Sequence, residues 1–290
     1  MNSSLEETKF ILKKYHLSAN KKLGQNFLID DDVIKNIIEA SNVQKEDLII
    51  EIGPGLGTLT SKLLEYAGKV VAIELDENMI QILNDRFKLY TNFKLLNEDV
   101  LKVNLKELIK ENKGELQKVK VVANLPYYIT TPIIMKLLED KLDIDSITVM
   151  VQKEVADRIT AVPGDKLSGS ITYSVDYYAE AEEVVFVDKH SFIPAPEVDS
   201  EVIRLQIRKE PKVKVSNEEL FFNIIKASFM QRRKTLLNSL TNAGMIKDKE
   251  ALKKILEKLG LEENIRGEKL TIEQFAELTD LLDAKMENQS

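Results

Sequence analysis

Five short runs rich in Val, Ile and Leu recur between residues 48 and 152, and each closes on a polar residue. LIIEIG ends at Gly53, KVVAIE at Glu74, FKLLNED at Asp99, VKVVAN at Asn124 and ITVMVQ at Gln152, so the intervals are 21, 25, 25 and 28 residues. Between them apolar residues fall at helical spacing, as in Leu59, Leu63 and Leu64 or Ile133, Ile134, Leu137 and Leu138. Strands that are apolar throughout must be covered on both faces, and strands alternating with helices are joined by right-handed crossovers. The pattern therefore predicts an α/β fold, a parallel sheet with helices on both faces. All five polar closers then line one edge, beyond the carboxyl ends of the strands, where open α/β sheets bind ligands.

Two further runs, AEEVVFVD at 181–188 and SEVIRLQIR at 200–208, read as strands that close the sheet as an antiparallel hairpin. From Ser216 the pattern is helical, with Gly244 and Gly260 as punctuation and Pro211 at the boundary. The expectation is an α/β domain over residues 1–211, opening with a basic segment 1–29, and a small all-α domain over 212–290.

Composition removes several chemistries. There is no Cys, hence no thiolate metal site, disulfide or cysteine nucleophile, and His16 and His190 are the only histidines. A Ser-His-Asp hydrolase or a multi-histidine metal centre is thereby disfavoured, and no metal is expected. No apolar run approaches the roughly 20 residues that cross a bilayer. MNSSLEETKF lacks the basic start and apolar stretch of a signal peptide, so a cytoplasmic protein without a membrane partner is expected. The 41 basic and 48 acidic residues leave a net charge of −7, yet residues 8–29 hold Lys9, Lys13, Lys14, Lys21 and Lys22 with no acid. Residues 220–247 repeat this with Lys226, Arg232, Arg233, Lys234 and Lys247. Such patches are ordinarily solvated helix faces, but grouped cations are also what an acidic protein needs to bind nucleic acid.

The first strand runs into Glu51-Ile52-Gly53-Pro54-Gly55-Leu56-Gly57-Thr58, with Thr58 expected to cap the following helix. Gly53, Gly55 and Gly57 resemble, one residue tighter, the glycine spacing that lets a nucleotide approach a helix N-terminus. Glu74 at the end of the second strand can accept ribose hydroxyls, and Asp99 after the third can accept an adenine amine. No Lys or Arg stands near the turn to meet a phosphate. The ligand should carry ribose and adenine but little negative charge, which describes S-adenosylmethionine.

Asn124-Leu125-Pro126-Tyr127 closes the fourth strand. The lone pair of an amine conjugated to a purine is delocalised into the ring. Two acceptors gripping its N–H groups, here the Asn124 side-chain oxygen and the Leu125 carbonyl, free that lone pair for methyl transfer. Pro126 stiffens the turn, and Tyr127 offers a ring on which a base can stack. Phe192, in HSFIPAPEVDS, is the second stacking candidate, the alternative being a ring that plugs the core below a proline turn. A base held in this way must leave its stack, so the substrate should be single-stranded, looped or flipped.

Taken together, KKLGQNFLID, EIGPGLG, NLPYYITTPII, FIPAPEVDS and FMQRRKTLLNSL resemble the small-subunit ribosomal RNA adenine dimethyltransferases over nearly the whole chain. The resemblance implies a class I methyltransferase domain with a small helical C-terminal domain. It further implies dimethylation of N6 on two adjacent adenines in the hairpin loop near the 3′ end of small-subunit rRNA, within a 30S assembly intermediate and by a monomer. Its cofactor contacts fall on Asn26, Leu28, Gly53, Glu74, Asp99 and Asn124, to which the glycine spacing adds Gly55. RNA contacts are expected at Lys21, Lys22, Arg232, Arg233 and Lys234. Where the family commonly has Pro and Lys after Phe192, this chain has Ala195 and Glu197. Competing readings are the large-subunit adenine methyltransferases of macrolide resistance, which typically read N-I-P-Y at the acceptor motif, and a non-catalytic assembly factor. A DNA adenine methyltransferase is disfavoured because those usually carry Asp in place of Asn124.

Overall fold

A computed structural model of the chain describes residues 3–20, 24–231, 233–246 and 248–287. In chain order it contains α1 (Ser4–Lys14), β1 (Phe27–Leu28), α2 (Asp31–Ser41), β2 (Asp47–Ile52), α3 (Thr58–Tyr66), β3 (Lys69–Glu74) and α4 (Glu77–Phe87). Next come β4 (Phe93–Asn97), α5 (Leu105–Lys113), β5 (Lys118–Asn124), α6 (Thr130–Glu139), β6 (Ser146–Gln152), α7 (Lys153–Thr160) and α8 (Ser170–Tyr178). The chain then forms β7 (Ala179–Val187), β8 (Phe192–Ile193) and β9 (Ser200–Ile207), followed by α9 (Glu218–Met230), α10 (Leu236–Asn242), α11 (Lys249–Lys258) and α12 (Ile272–Glu287). Among the described residues no helix is long and apolar enough to cross a membrane.

Seven strands form one sheet in the order β4-β3-β2-β5-β6-β9-β7, with β2 to β6 parallel and β9 antiparallel to β6. Every residue of β2 is buried, as expected for a central strand covered on both faces. The chain steps outward from β2 to β3 and β4, then returns to the other side of β2 for β5 and β6. Because parallel crossovers are right-handed, this reversal puts the connecting helices on opposite faces and opens a crevice between the carboxyl ends of β2 and β5. The expected sheet of a class I methyltransferase is therefore present, with Gly53 and Asn124 at the two lips of the crevice.

At the opposite end of the same two strands, Lys120 of β5 and Asp47 of β2 form a buried ion pair, 2.7 Å apart with 7% and 2% side-chain exposure. Burying two charges is costly unless their remaining hydrogen-bonding capacity is used. Here Lys120 also donates to the Asn42 carbonyl at 2.6 Å, and Asp47 accepts the Gln44 N–H at 2.9 Å. The pair pins the register of the strands that flank the crevice, in which Asp47 stands opposite Lys118 and Ile49 opposite Lys120.

The chain divides into two compact units, residues 1–156 with 181–207, and residues 157–180 with 208–290. The first holds the sheet and a core that includes Ile49, Val70, Val122 and Val202. The second is built around Tyr173, Phe221 and Phe275, all fully buried. Its segment 157–180 runs through α8 into the first two residues of β7, upstream of the boundary read at Pro211. It belongs with the C-terminal helices because Tyr173 and Tyr177 of α8 pack among their apolar side chains, the Tyr173 hydroxyl donating to the Leu270 carbonyl at 2.6 Å.

Lys120→Met should destabilise the protein by about 3 kcal/mol, because Asp47 would be left buried and unpaired. Adding Asp47→Leu should recover most of the loss. Urea unfolding is the check, and a double variant no more stable than the single would show that the pair does not act as a unit.

Candidate active site

The crevice between β2 and β5 is a cavity walled by five stretches of chain: Gly24–Leu28, the turn after β2, the loop after β3, the loop after β4, and the turn after β5. All lie in the sheet unit.

The turn after β2 is shaped by glycine. Gly53, Gly55 and Gly57 all have positive φ, and a Cβ on Gly57 would come within 2.6 Å of the Phe87 ring and 2.9 Å of Leu83. Only a residue without a side chain serves there. Gly57, not Thr58, is the N-cap of α3, in the left-handed conformation and with no side-chain cap. The expected Thr58 cap is thus absent, since Thr58 already lies within the helix. Arg86 of α4 donates to the Leu56 carbonyl of this turn and to Glu7 of α1 at 2.6 Å, tying both to one buried guanidinium.

Glu74 is the hub of the cavity. Its carboxylate accepts the N–H of Gly55 at 3.1 Å on one oxygen and those of Leu75 and Asp76 at 2.8 and 2.9 Å on the other. Burial raises its pKa, against the lowering effect of these three bonds. Asp76 in turn accepts from Gln25 at 2.8 Å, which fastens the Gly24–Leu28 segment to the same loop. Asp99 accepts the Leu101 N–H at 3.0 Å and faces Lys102 at 3.9 Å.

Asn124 donates through Nδ2 to the Asn26 carbonyl at 3.4 Å. A carbonyl can only be met by the amide nitrogen, so Oδ1 is turned the other way, where it can accept. Leu125 and Pro126 follow on the cavity wall. Tyr127 joins its hydroxyl to Ser200 of β9 at 2.6 Å, and burial raises its pKa, which keeps the phenol neutral. Asn26, Leu28, Gly53, Gly55, Glu74, Asp99 and Asn124 are therefore brought to one cavity, although the sequence separates Asn26 from Asn124 by 98 residues.

Phe192 is not brought there. It is 2% exposed and sits in β8, where its backbone pairs with Leu28 of β1, and its ring belongs to the hydrophobic core of the sheet unit. The structure gives it the core position, in which no face is left for a base. Lys21, Lys22 and Arg232 lie outside the described residues. Arg233 and Lys234 are exposed in the turn between α9 and α10, with no acidic partner among the described residues.

Sequence reasoning gave no role to Glu51. It lines the cavity at 1% exposure, and its Oε2 has no hydrogen-bond partner among the described residues. Burial pushes its carboxyl up to about 8, the charge of Glu74 adds to the shift, and the neighbouring Thr60 hydroxyl offsets part of it. Glu74, Glu98 and Asp99 put three carboxylates, beside the protonated Glu51, on a wall that carries no cationic side chain among the described residues. Such a wall repels phosphates and favours a cationic ligand.

The raised Glu51 has a consequence for stability. An unfolded chain releases this proton near pH 4.5, whereas the folded chain holds it to about 8, so folding is penalised increasingly as pH rises between those values. Glu51→Gln removes the penalty. Its melting temperature should exceed that of the wild type by a margin that widens from pH 5 to pH 8 and then levels off; a constant margin would mean that Glu51 is ionised in the folded protein throughout.

A family model described as "Ribosomal RNA adenine dimethylase" matches residues 16–284. A protein of Lachnoclostridium phytofermentans named "Ribosomal RNA small subunit methyltransferase A" is 50% identical, the alignment covering 97% of each chain. Its namesake in Clostridioides difficile is 48% identical over 98% of each. Among solved structures, a dimethyladenosine transferase from Plasmodium falciparum is similar with a TM-score of 0.72 at 27% identity, covering 90% of this chain and 98% of that one. The 23S rRNA methyltransferase ErmE follows with a TM-score of 0.66 at 26% identity, covering 89% and 100%. With the glycine turn, the Glu74 hub and the Asn124-Leu125-Pro126-Tyr127 turn assembled around one cavity, and a family match over almost the whole chain, this protein belongs to the ribosomal RNA adenine dimethylases.

Proposed function

We propose that the chain methylates small-subunit rRNA with S-adenosylmethionine, dimethylating N6 of two adjacent adenines in the 3′-terminal hairpin loop. Identities near 50% to proteins named ribosomal RNA small subunit methyltransferase A, against 26% to a 23S rRNA methyltransferase, favour the small-subunit substrate over the large-subunit one. The observation that carries the chemistry is the Asn124 amide, whose oxygen is left free to accept on the wall of a carboxyl-rich cavity.

The cavity fits the proposed cofactor on its own chemistry. Glu74 keeps lone-pair capacity beyond its three backbone bonds for ribose hydroxyls, and Asp99 can accept an adenine amine. Gly53 and Gly55 let the backbone come close, with Asn26 and Leu28 closing the other side. The carboxylates of Glu74, Glu98 and Asp99, with no cationic side chain on the wall among the described residues, suit a ligand with positive charge. When bound, S-adenosylmethionine supplies a methyl group activated by its sulfonium.

The residues of the chain then have to hold the adenine. Oδ1 of Asn124 and the carbonyl of Leu125 accept from the exocyclic N–H groups and so free the nitrogen lone pair. The Tyr127 ring, fixed by its bond to Ser200, supports the base by stacking. No strong general base is needed, because the amine becomes acidic once it is alkylated. Positioning is the main catalytic contribution. Arg233 and Lys234 contact rRNA phosphates, together with the basic segment near the N-terminus. The substrate is a 30S assembly intermediate, and the protein works as a cytoplasmic monomer.

Asn124→Ala should melt within a few degrees of wild type yet lose methyl transfer to undermethylated small subunits by orders of magnitude, as read by mass spectrometry of dimethyladenosine. Normal transfer by this variant would remove the amine-gripping mechanism. Glu74→Gln should weaken cofactor binding by about 1.5 to 3 kcal/mol in calorimetry, the worth of a charge-assisted hydrogen bond. For the surface cations the reading is the salt dependence of RNA binding: replacing Arg233 and Lys234 with Ala should lower its slope by about one unit per contact and leave cofactor affinity alone.

A further inference from the structure

Two consecutive tyrosines follow the acceptor turn in the 3-10 segment Tyr127–Ile129, and they face different neighbours. Tyr127 is half-buried, its hydroxyl on Ser200. Tyr128 is 54% exposed, lines the cavity, and its hydroxyl has no partner among the described residues. An exposed aromatic ring with an unused polar tip at the rim of a ligand cavity carries a large area of apolar surface available for burial on binding.

The position of the ring is marked by one contact and by the charges around it. On one side it lies against the backbone of Gly24, where a Cβ would stand 3.5 Å from Cδ1 and 3.9 Å from Cε1 of Tyr128. On the other side its phenol is within the field of Asp99 and Glu74, whose charges add to desolvation in raising its pKa. The ring thus stands against the Gly24–Leu28 segment on the cavity whose wall also carries the two carboxylates assigned to the adenine amine and the ribose. Phe192, buried in the core, supplies no aromatic surface there, which leaves Tyr127 and Tyr128 as the aromatic residues of the turn that reach the cavity.

We propose that Tyr128 is a cofactor-positioning residue, its ring covering the adenosine half of the bound cofactor from the rim between Gly24 and Asp99, while Tyr127 serves the target base. This rests on the reading of the cavity as an S-adenosylmethionine site. The ring face does the work and the hydroxyl does not, because no described residue engages it. Adenosine alone, which lacks the methionine arm, should feel the ring as fully as the whole cofactor does.

The test is calorimetry of S-adenosylmethionine, S-adenosylhomocysteine and adenosine on the full chain and on Tyr128→Ala and Tyr128→Phe, with KM for undermethylated small subunits measured alongside. Loss of a stacking ring should weaken all three ligands about tenfold in Tyr128→Ala. Tyr128→Phe should bind within twofold of wild type, and KM for the small subunit should not change in either variant. The ring is exposed, so both variants should melt close to wild type. If Tyr128→Ala binds all three ligands like wild type, the inference is overturned and the cavity reading stands. A raised KM for the small subunit with unchanged cofactor affinity would also overturn it and assign the ring to RNA. Failure of the wild type to bind S-adenosylmethionine at all would overturn the cavity reading and this inference with it.

Discussion

The carboxylate of Glu74 ties the turn after β2 to the loop after β3 and, through Asp76, to the segment before β1. One oxygen takes the N–H of Gly55 in the turn after β2, and the other takes the N–H groups of Leu75 and Asp76 in the loop after β3. Asp76, so oriented, receives the Gln25 amide from the segment before β1. Three of the five stretches that wall the cavity are thus chained to one buried acid. A buried carboxylate is costly unless hydrogen-bonded, and these backbone donors are what make it tolerable. Its remaining capacity is what a ribose would use, so the group that shapes the cavity is also the one proposed to hold the ligand in it.

The acids of the wall differ in how well they are satisfied. Glu74 and Asp99 accept from backbone N–H groups, whereas Glu51 has a buried oxygen with no partner among the described residues and keeps its proton up to about 8. An unsatisfied buried acid lowers stability, and cavities that bind ligands are where proteins tend to carry such costs. A cation entering the cavity would offset the penalty by stabilising the ionised form. The shape of the sheet explains why the acids gather here: reversal of strand order at β2 and β5 separates the crossovers and leaves strand ends uncovered at one point.

Much of this was legible in the sequence, because the relevant signals are local. The Val/Ile runs gave the strands within a few residues, and the glycine spacing, Glu74, Asp99 and Asn124 sit at strand ends that periodicity locates. What was not legible depends on contacts made at long range. Thr58 looks like a cap until the positive φ of Gly57, and the clash that a Cβ there would make with Phe87 and Leu83, show that the turn must close one residue earlier. Phe192 looks like a loop aromatic because β8 has only two residues, and its partner β1 lies more than 160 residues away. The Asn26 carbonyl orients Asn124 across 98 residues of sequence, so only resemblance could point to Asn26. Residues 157–180 read as part of the α/β region because nothing in their own periodicity reveals that Tyr173 and Tyr177 pack with helices beyond residue 208.

An acidic protein proposed to act on a polyanion needs cations that its own acids leave unpaired, and the described residues include such cations. The cavity wall, where a cationic cofactor is proposed to bind, carries acids and no cationic side chain among the described residues. Positive charge without partners is outward: Lys9 and Lys13 on the exposed side of α1, and Arg233 and Lys234 after α9. The packed side of α1 makes its attachments elsewhere, through Glu7 to Arg86 and through Ser4 to Asp31 at 2.5 Å, leaving those two lysines unengaged. Fixed cations on an anchored helix lose less freedom on meeting phosphates than cations on a loose segment would. Net charge therefore says little about what such a chain binds. The decisive quantity is whether its cations are already neutralised by its own acids, and at these four positions they are not.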